Sequence, residues 1–535
     1  MKRSWSRVIP ILCVVGLCAA AVTATAADFT VTHGRQVIIN RGIQIQSVVL
    51  GNDGVHSYPN FTDLTLWRSA GFTTFNFFNQ PDSGGSVLAR LKPLGQQWGK
   101  IWGDPAPSPW PDTCAPPAGA PPLDAADNWG LSGFEHDDAA NLADLQWSDE
   151  RRDQTMAHLC SIASLFRIWN QQFPQALAHT NFCETPGCSN PLVDDDLTTY
   201  VQQTQPDILT FDQYPPFSPG VSDYNAWYAA MQKYRLHALA GYTTASGANS
   251  GPLPYGQYMR TFRGSYTAET ANESFINLQH FASLAFGYTW VSSFIYTAYT
   301  PPGQPLYPVL FESGGDGASP AGDQHPNSTV FGFEQHANSQ TLNLSNYFKR
   351  AVSTGIFYIT DSSGSVTPAN MFDWTAKSGA IPGVADDYIT SITPYTGATA
   401  NGGVTADSYA HAIVGYFMPL QYLHDYGRAF ANGLHFMIVN GNAGGNGTAD
   451  DHGQWYHVVF DFTGTSDNSL LRLNRTSGQV ELVPLVSLGN NQYYLDLYLP
   501  GGVGDVFAFW NSSLPVPGMR DKPISVVPIV TTLLP

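Results

Sequence analysis

Glu135, Asp137 and Asp138, with His136 among them, crowd three carboxyls into four positions. On an extended segment Glu135 and Asp137 face one way and Asp138 the other, unless the chain has already turned. Crowded carboxyls repel, so one can keep its proton near neutral pH and serve as a general acid. Asp137 or Asp138 could instead cap a helix beginning near Ala139. Asp212 follows the strand-like Leu209-Thr210-Phe211 and precedes Tyr214 and the sharp Pro215-Pro216 turn. It could do chemistry directly or order its own loop by accepting backbone N–H bonds. Glu312 stands before the glycine-rich 313–317 segment, where it could face a cleft or cap the loop. Carboxyls of this kind move protons with water as the only co-reactant, so no cofactor and no metal are expected.

Polar and aromatic residues accompany these acids. Asp53 and Asn79 follow the first two expected strands, positions suited to holding substrate hydroxyls. Tyr214 could stack on a sugar ring or hydrogen-bond to it. Tyr288, Trp290 and Tyr296 surround the last strand and could floor a sugar subsite. Core packing is the competing reading, and for Trp290 the stronger one. Other chemistries lack their patterns. There is no Gly-x-Ser-x-Gly elbow and no His-Glu-x-x-His helix, and the histidines show no ligand spacing.

These residues need elements to carry them. Strands are expected at 43–50, 72–78, 98–102, 129–134, 176–182, 208–211, 237–242 and 288–295. Helices are expected at 61–70, 88–97, 149–173, 197–204, 224–234 and 273–285. Eight strands alternating with helices define a (β/α)8 barrel, here assigned to 28–340. An open doubly wound sheet fits less well, because no glycine-rich phosphate loop follows the first strand. A connecting region spans 341–411. From 412 to 535 closely spaced strands with Gly or Asn turns read as a β-sandwich.

Residues 1–27 read as a secretory leader, with Lys2, Arg3 and Arg7 before an apolar run and small residues ending at Ala26-Ala27. Secretion, extracellular or periplasmic, follows. The apolar run is too short for a firm membrane anchor. Roughly 500 residues remain, enough for two or three domains. A formal charge of −18 argues against a nucleic-acid partner. Four cysteines outlast the leader, and in an exported chain they suggest two disulfides, Cys114–Cys160 and Cys183–Cys188.

Two segments resemble bacterial glycoside hydrolases of the large (β/α)8 clan related to β-galactosidases and cellulases. Gly133-Phe134-Glu135-His136-Asp137-Asp138-Ala139 is similar to a strand leading into Asp-Glu-Pro, with Asp137-Asp138 at the acidic pair and Ala139 at the proline. Pro206-Asp207-Ile208-Leu209-Thr210-Phe211-Asp212-Gln213-Tyr214-Pro215 is similar to their Pro-Asp-x-x-x-x-Asp-x-Tyr-Pro segment. Ala285-Phe286-Gly287-Tyr288 and Phe294-Ile295-Tyr296-Thr297 resemble their last strand. In this register the chain has no Glu at the acid position, and 237–244 offers no acid for the nucleophile after the seventh strand.

The resemblance implies a secreted glycoside hydrolase acting on an oligo- or polysaccharide. The acid would come from Glu135–Asp138, and the base or nucleophile from Asp212 or Glu312. Long loops at 106–123 and 243–261 favour a pocket and exo action. A non-catalytic carbohydrate-binding protein on a degenerate barrel, or a structural exported protein, remains open.

Overall fold

The computed structural model describes residues 31–49, 64–78, 91–101, 140–150, 152–184, 192–215, 221–261, 272–297, 329–359, 372–373, 388–398, 404–406, 411–420, 435–443 and 447–514. Eight strands close into a parallel barrel. They are β1 Gln44–Val49, β2 Thr74–Phe78, β3 Gln97–Ile101, β4 Leu142–Asp149, β5 Leu177–Cys183, β6 Leu209–Asp212, β7 Tyr255–Arg260 and β8 Trp290–Thr297. Pairing of β1 with β8 completes the ring. The helices are α1 His33–Arg41, α2 Leu64–Ser69, α3 Arg152–Ala157, α4 Leu159–Gln172, α5 Asp194–Thr204, α6 Val221–Ala240, α7 Glu273–Phe286 and α8 Thr329–Phe348.

The strands alternate as a two-residue period requires. In β4, Leu145 and Trp147 pack with Phe75, Phe77, Phe211 and helix residues such as Leu165 and Trp227. Asp144, Gln146 and Ser148 take the other face, inside the barrel, and are fully buried. Helix α1 closes the end of the barrel where the strands begin. Its Val37 and Ile38 cluster with Leu177 and Ile208. His33 Nδ1 lies 2.9 Å from Asp207 Oδ1, and Arg35 donates to the Leu253 carbonyl at 3.2 Å. Arg41 donates to the carbonyls of Gln175 and Leu142. All of these partners precede or open a strand.

Two strands lie elsewhere than the sequence reading put them. The fourth is Leu142–Asp149, while 129–134 lies outside the described residues. Its inward positions are polar, which removed the apolar signature a strand search relies on. The seventh is Tyr255–Arg260. Residues 237–240 instead finish α6, because His237-Ala238-Leu239-Ala240 favours helix, and Gly241 closes it with an N–H to the His237 carbonyl. The stretch 243–261, read as a loop, therefore contains β7.

Twelve further strands follow: β9 Ala351–Ile359, β10 Phe372–Asp373, β11 Ile389–Ala398, β12 Val404–Ala406, β13 Ala412–Pro419, β14 His435–Asn440, β15 Gln454–Asp461, β16 Ser469–Leu473, β17 Val480–Pro484, β18 Val486–Gly489, β19 Gln492–Leu499 and β20 Gly504–Trp510. They form a seven-stranded sheet, β10-β9-β13-β14-β20-β16-β17, and a five-stranded sheet, β12-β11-β15-β19-β18. Phe357, Val414, Phe436 and Phe507 of the first sheet meet Ile392, Tyr456, Phe460 and Leu497 of the second in one core, as in a sandwich. Strands β9 to β12 lie in the stretch read as a connection.

Helix α7 is a layer shared by barrel and sandwich. Asn272 caps it, its side chain accepting from the Phe275 N–H at 2.8 Å, and every residue from Ser274 to Phe286 is buried. Strand β13 crosses it at Gly415, where a Cβ would fall 2.1 Å from the Ala285 carbonyl oxygen. On one face of β13, Ile413 and Phe417 join the barrel-side core. On the other, Val414 and Tyr416 join the sandwich core. A strand buried on both faces reads as a continuous apolar run, as 412–419 does.

The expected bridges Cys114–Cys160 and Cys183–Cys188 are corrected here: no disulfide bond joins two of the described residues. Cys114 and Cys188 lie outside them. Cys160 is in the first turn of α4, and Cys183 ends β5 with its sulfur turned to acids at the barrel mouth. Neither is a free thiol. No described helix is long and apolar enough to cross a membrane.

Candidate active site

The described acids at the barrel mouth come from β4 and β6. Strand β4 ends in Asp149 and is followed by Glu150. Its register against β5 slips between Gln146 and Asp149. Across this bulge Ser148 has φ 69° and Glu150 φ 58°. Non-glycine residues held there store strain, and such strain gathers at functional sites. The kink turns Asp149 inward and leaves Glu150 exposed.

Amides hold the acids in place. Asn181 of β5 donates from one Nδ2 to Asp149 Oδ1 at 2.9 Å and to Asp212 Oδ1 at 3.1 Å. Gln146 donates to Asp149 Oδ1 at 3.0 Å and accepts from the Tyr258 hydroxyl of β7 at 2.6 Å. Asp212 ends β6 and is buried. One side-chain atom each of Glu150, Cys183 and Asp212 lie within 4.8 Å of one another. Because Cys183 is not a free thiol, this group offers oxygens but no thiolate, a thin donor set for a metal.

Burial, then the charges of Glu150 and Asp149, push the Asp212 carboxyl well above the usual carboxylate range. Burial, then Glu150, pushes Asp149 up to about 6, against the hydrogen bonds from Asn181 and Gln146. Burial and the same three acids raise the Tyr214 phenol far above its ordinary value. Tyr214 packs against Phe294 of β8, ring centroids 6.2 Å apart. Beneath the acids the barrel interior is polar. His179 Nε2 lies 3.0 Å from Asp144 Oδ1 and its Nδ1 2.9 Å from Thr210 Oγ1, with the Trp290 ring edge-on at 5.8 Å.

Of the residues singled out in the sequence, Asp212 and Tyr214 lie at this mouth. Asp53, Asn79, Glu135, His136, Asp137, Asp138 and Glu312 lie outside the described residues. Tyr288 and Tyr296 are buried in the core outside the strands; Tyr288 donates its hydroxyl to the Met231 carbonyl at 2.8 Å, and Tyr296 packs on Phe72. Trp290 is buried inside the barrel against Tyr258. Asp149, Glu150, Asn181, Gln146 and Tyr258 were missed. The signal was the consecutive Asp149-Glu150 behind the alternation Asp144, Gln146, Ser148. The segment 133–139, in which no Glu was found at the acid register, lies outside the described residues; β4 ends in Asp149, with Glu150 next. The seventh strand, correctly placed, ends in Arg260, and 262–271 beyond Thr261 lie outside the described residues.

No family model matches the chain, and no curated protein matches it. Solved structures with similar folds include glycoside hydrolases. One described only as a glycoside hydrolase is 12% identical, with a TM-score of 0.44 over 89% of this chain and 94% of the other. A family 5 glycoside hydrolase from Bacteroides vulgatus is 10% identical, with a TM-score of 0.40 over 90% and 92%. Gas2p of Saccharomyces cerevisiae, in complex with laminaritetraose and laminaripentaose, is 9% identical, with a TM-score of 0.37 over 56% and 64%. The chain thus spans under two thirds of the Gas2p chain. At these scores the likeness carries no argument about chemistry, and it does not single out a clan.

Proposed function

We propose that the protein is an exported glycoside hydrolase whose acids are Glu150 and Asp212. The observation that carries this is the pair itself, at the strand-end mouth of a (β/α)8 barrel, with one carboxyl buried and the other exposed. Asp212, held protonated by its surroundings, is suited to donate a proton to the leaving oxygen. Glu150 is suited to attack or to activate water. One side-chain oxygen of each lies within 4.8 Å of the other, close enough for the two carboxyls to act on one bond. Asn181 and Asp149 position the pair, and Tyr214 offers a ring face for the sugar. The long connection between β3 and β4 favours exo action.

A hydrolysis screen over neutral and charged glycans, with reducing-end detection, tests this. Turnover of one glycan is expected, reduced about 10²-fold or more in Glu150→Gln and in Asp212→Asn. Turnover unchanged in both variants would overturn the assignment. Strand β7 itself ends in Arg260 and not in an acid, which favours a second reading, a barrel that binds a glycan without cleaving it. Saturable binding with no turnover would select that reading.

A further inference from the structure

Three aromatic side chains stand in a row across the five-stranded sheet. Tyr395 of β11 is directly opposite Trp455 of β15, and Trp455 is directly opposite Tyr498 of β19. Their ring centroids are 6.2 and 5.3 Å apart, with interplanar angles of 43° and 51°. The next residues along the strands, Tyr456 and Leu497, turn the other way into the sandwich core, so the row lies on the outer face, with Tyr395 covered at one end and Trp455 and Tyr498 open. A second row runs beside it. His457 Nδ1 is 2.8 Å from Asp496 Oδ1, and the Tyr494 ring lies 4.8 Å from the imidazole.

Cross-strand aromatic pairs stabilise a sheet by about 0.2–1 kcal/mol through packing alone. Packing does not require exposure, yet Trp455 is 43% and Tyr498 37% exposed, and no other described tryptophan or tyrosine is as open. The backbone also makes room for the row: a Cβ on Gly453 would fall 1.9 Å from the Tyr498 phenol oxygen. The surrounding chemistry is selective. Strands β11, β15, β18 and β19 carry no lysine or arginine, while Asp450, Asp451 and Asp496 rim the face. Ionised carboxylates only accept hydrogen bonds. Ring faces beside acceptors suit a ligand with apolar C–H faces and many hydroxyl donors, and they repel a polyanion.

We propose that this aromatic stripe binds a single chain of a neutral polysaccharide, apart from the barrel mouth and independently of any hydrolysis there. The two open rings, Trp455 and Tyr498, tilted by 51°, make a twisted track. Such a track follows a lone, twisting chain better than a flat crystalline face.

The test is affinity electrophoresis of the full chain carrying Glu150→Gln and Asp212→Asn, which keeps turnover from altering the gel. The gels hold hydroxyethylcellulose, xylan, galactomannan or laminarin, with polygalacturonate as the anionic comparison. At least one neutral glycan should retard the protein. Adding Trp455→Ala and Tyr498→Ala should weaken that retention about tenfold or more, with far-ultraviolet circular dichroism unchanged. Trp455→Phe should fall between, and oligosaccharides of the retaining glycan should change the fluorescence of the unsubstituted protein but not of Trp455→Phe. No retardation by any neutral glycan, or equal retardation without the two rings, overturns the proposal. So does a concentration-dependent dimer that Trp455→Ala abolishes, which would give the stripe to a second copy. Retention is read separately from turnover, so failure of the hydrolase reading leaves this result interpretable.

Discussion

At the scale of single residues, the mouth is governed by the cost of ionising carboxyls that are close together and shielded from water. Asp149 illustrates the sign. Its folded value, about 6, lies above the ordinary 3.8, so the fold favours its protonated form. Its contribution to stability is full below pH 3.8 and is lost as pH rises through about 6. Asp149→Asn keeps a neutral acceptor for Asn181 and Gln146 at every pH. It should therefore melt near the wild type at pH 4 and increasingly above it toward pH 7. A melting difference that does not change with pH would contradict this. Asp212 was legible in the sequence because its strand is apolar and ends in an Asp-x-Tyr-Pro turn. Asp149 and Glu150 were not, since the residues that announce them, Asp144, Gln146 and Ser148, are polar groups facing one another inside a barrel. Period-2 apolarity reports burial against an apolar neighbour, and here the inner layer is a hydrogen-bonded one.

At the scale of elements, the bulge at the end of β4 aims the acids. Ser148 is fully buried with φ 69°, a conformation costing L-residues about 1–2 kcal/mol. Ser148→Gly relieves the strain but loosens the unfolded chain, so its stability should stay within about 1 kcal/mol of the wild type. Ser148→Val, branched at Cβ, should cost about 2 kcal/mol or more. Urea unfolding of both variants checks this, and equal stabilities would mean the backbone there is not strained. The alternation of strands and helices was readable over most of the barrel. It failed at 237–242, where an alanine-rich stretch continues α6, and so displaced β7. Tyr255-Gly256-Gln257-Tyr258 was passed over as loop because glycine and polar residues break the apolar run.

At the scale of the molecule, α7 makes one body of two layers. It is buried along its length between the barrel and the sheet containing β13 and β14. Arg235 of α6 donates to Ser353 of β9 at 2.8 Å across the same joint, so it forms no surface basic patch. Barrel and sandwich should therefore unfold together, as one calorimetric transition. Two separated transitions would show that the joint is weak. Gly415→Val places a branched side chain against the Ala285 carbonyl and should cost about 1–3 kcal/mol or more, lowering that single transition rather than splitting it. The sequence announced two folding units through the change from alternating helices to closely spaced strands. It did not announce the shared helix, because nothing local distinguishes a helix covered on one side from a helix covered on both.

Helix α1 gives the barrel a polarity that matters for how it can be mounted. It sits under the strand beginnings, with the acids of β4 and β6 at the opposite rim. A bead, a display scaffold or a fused partner attached ahead of residue 31 would grip the closed floor. The acidic rim would then be turned toward whatever the surrounding medium delivers.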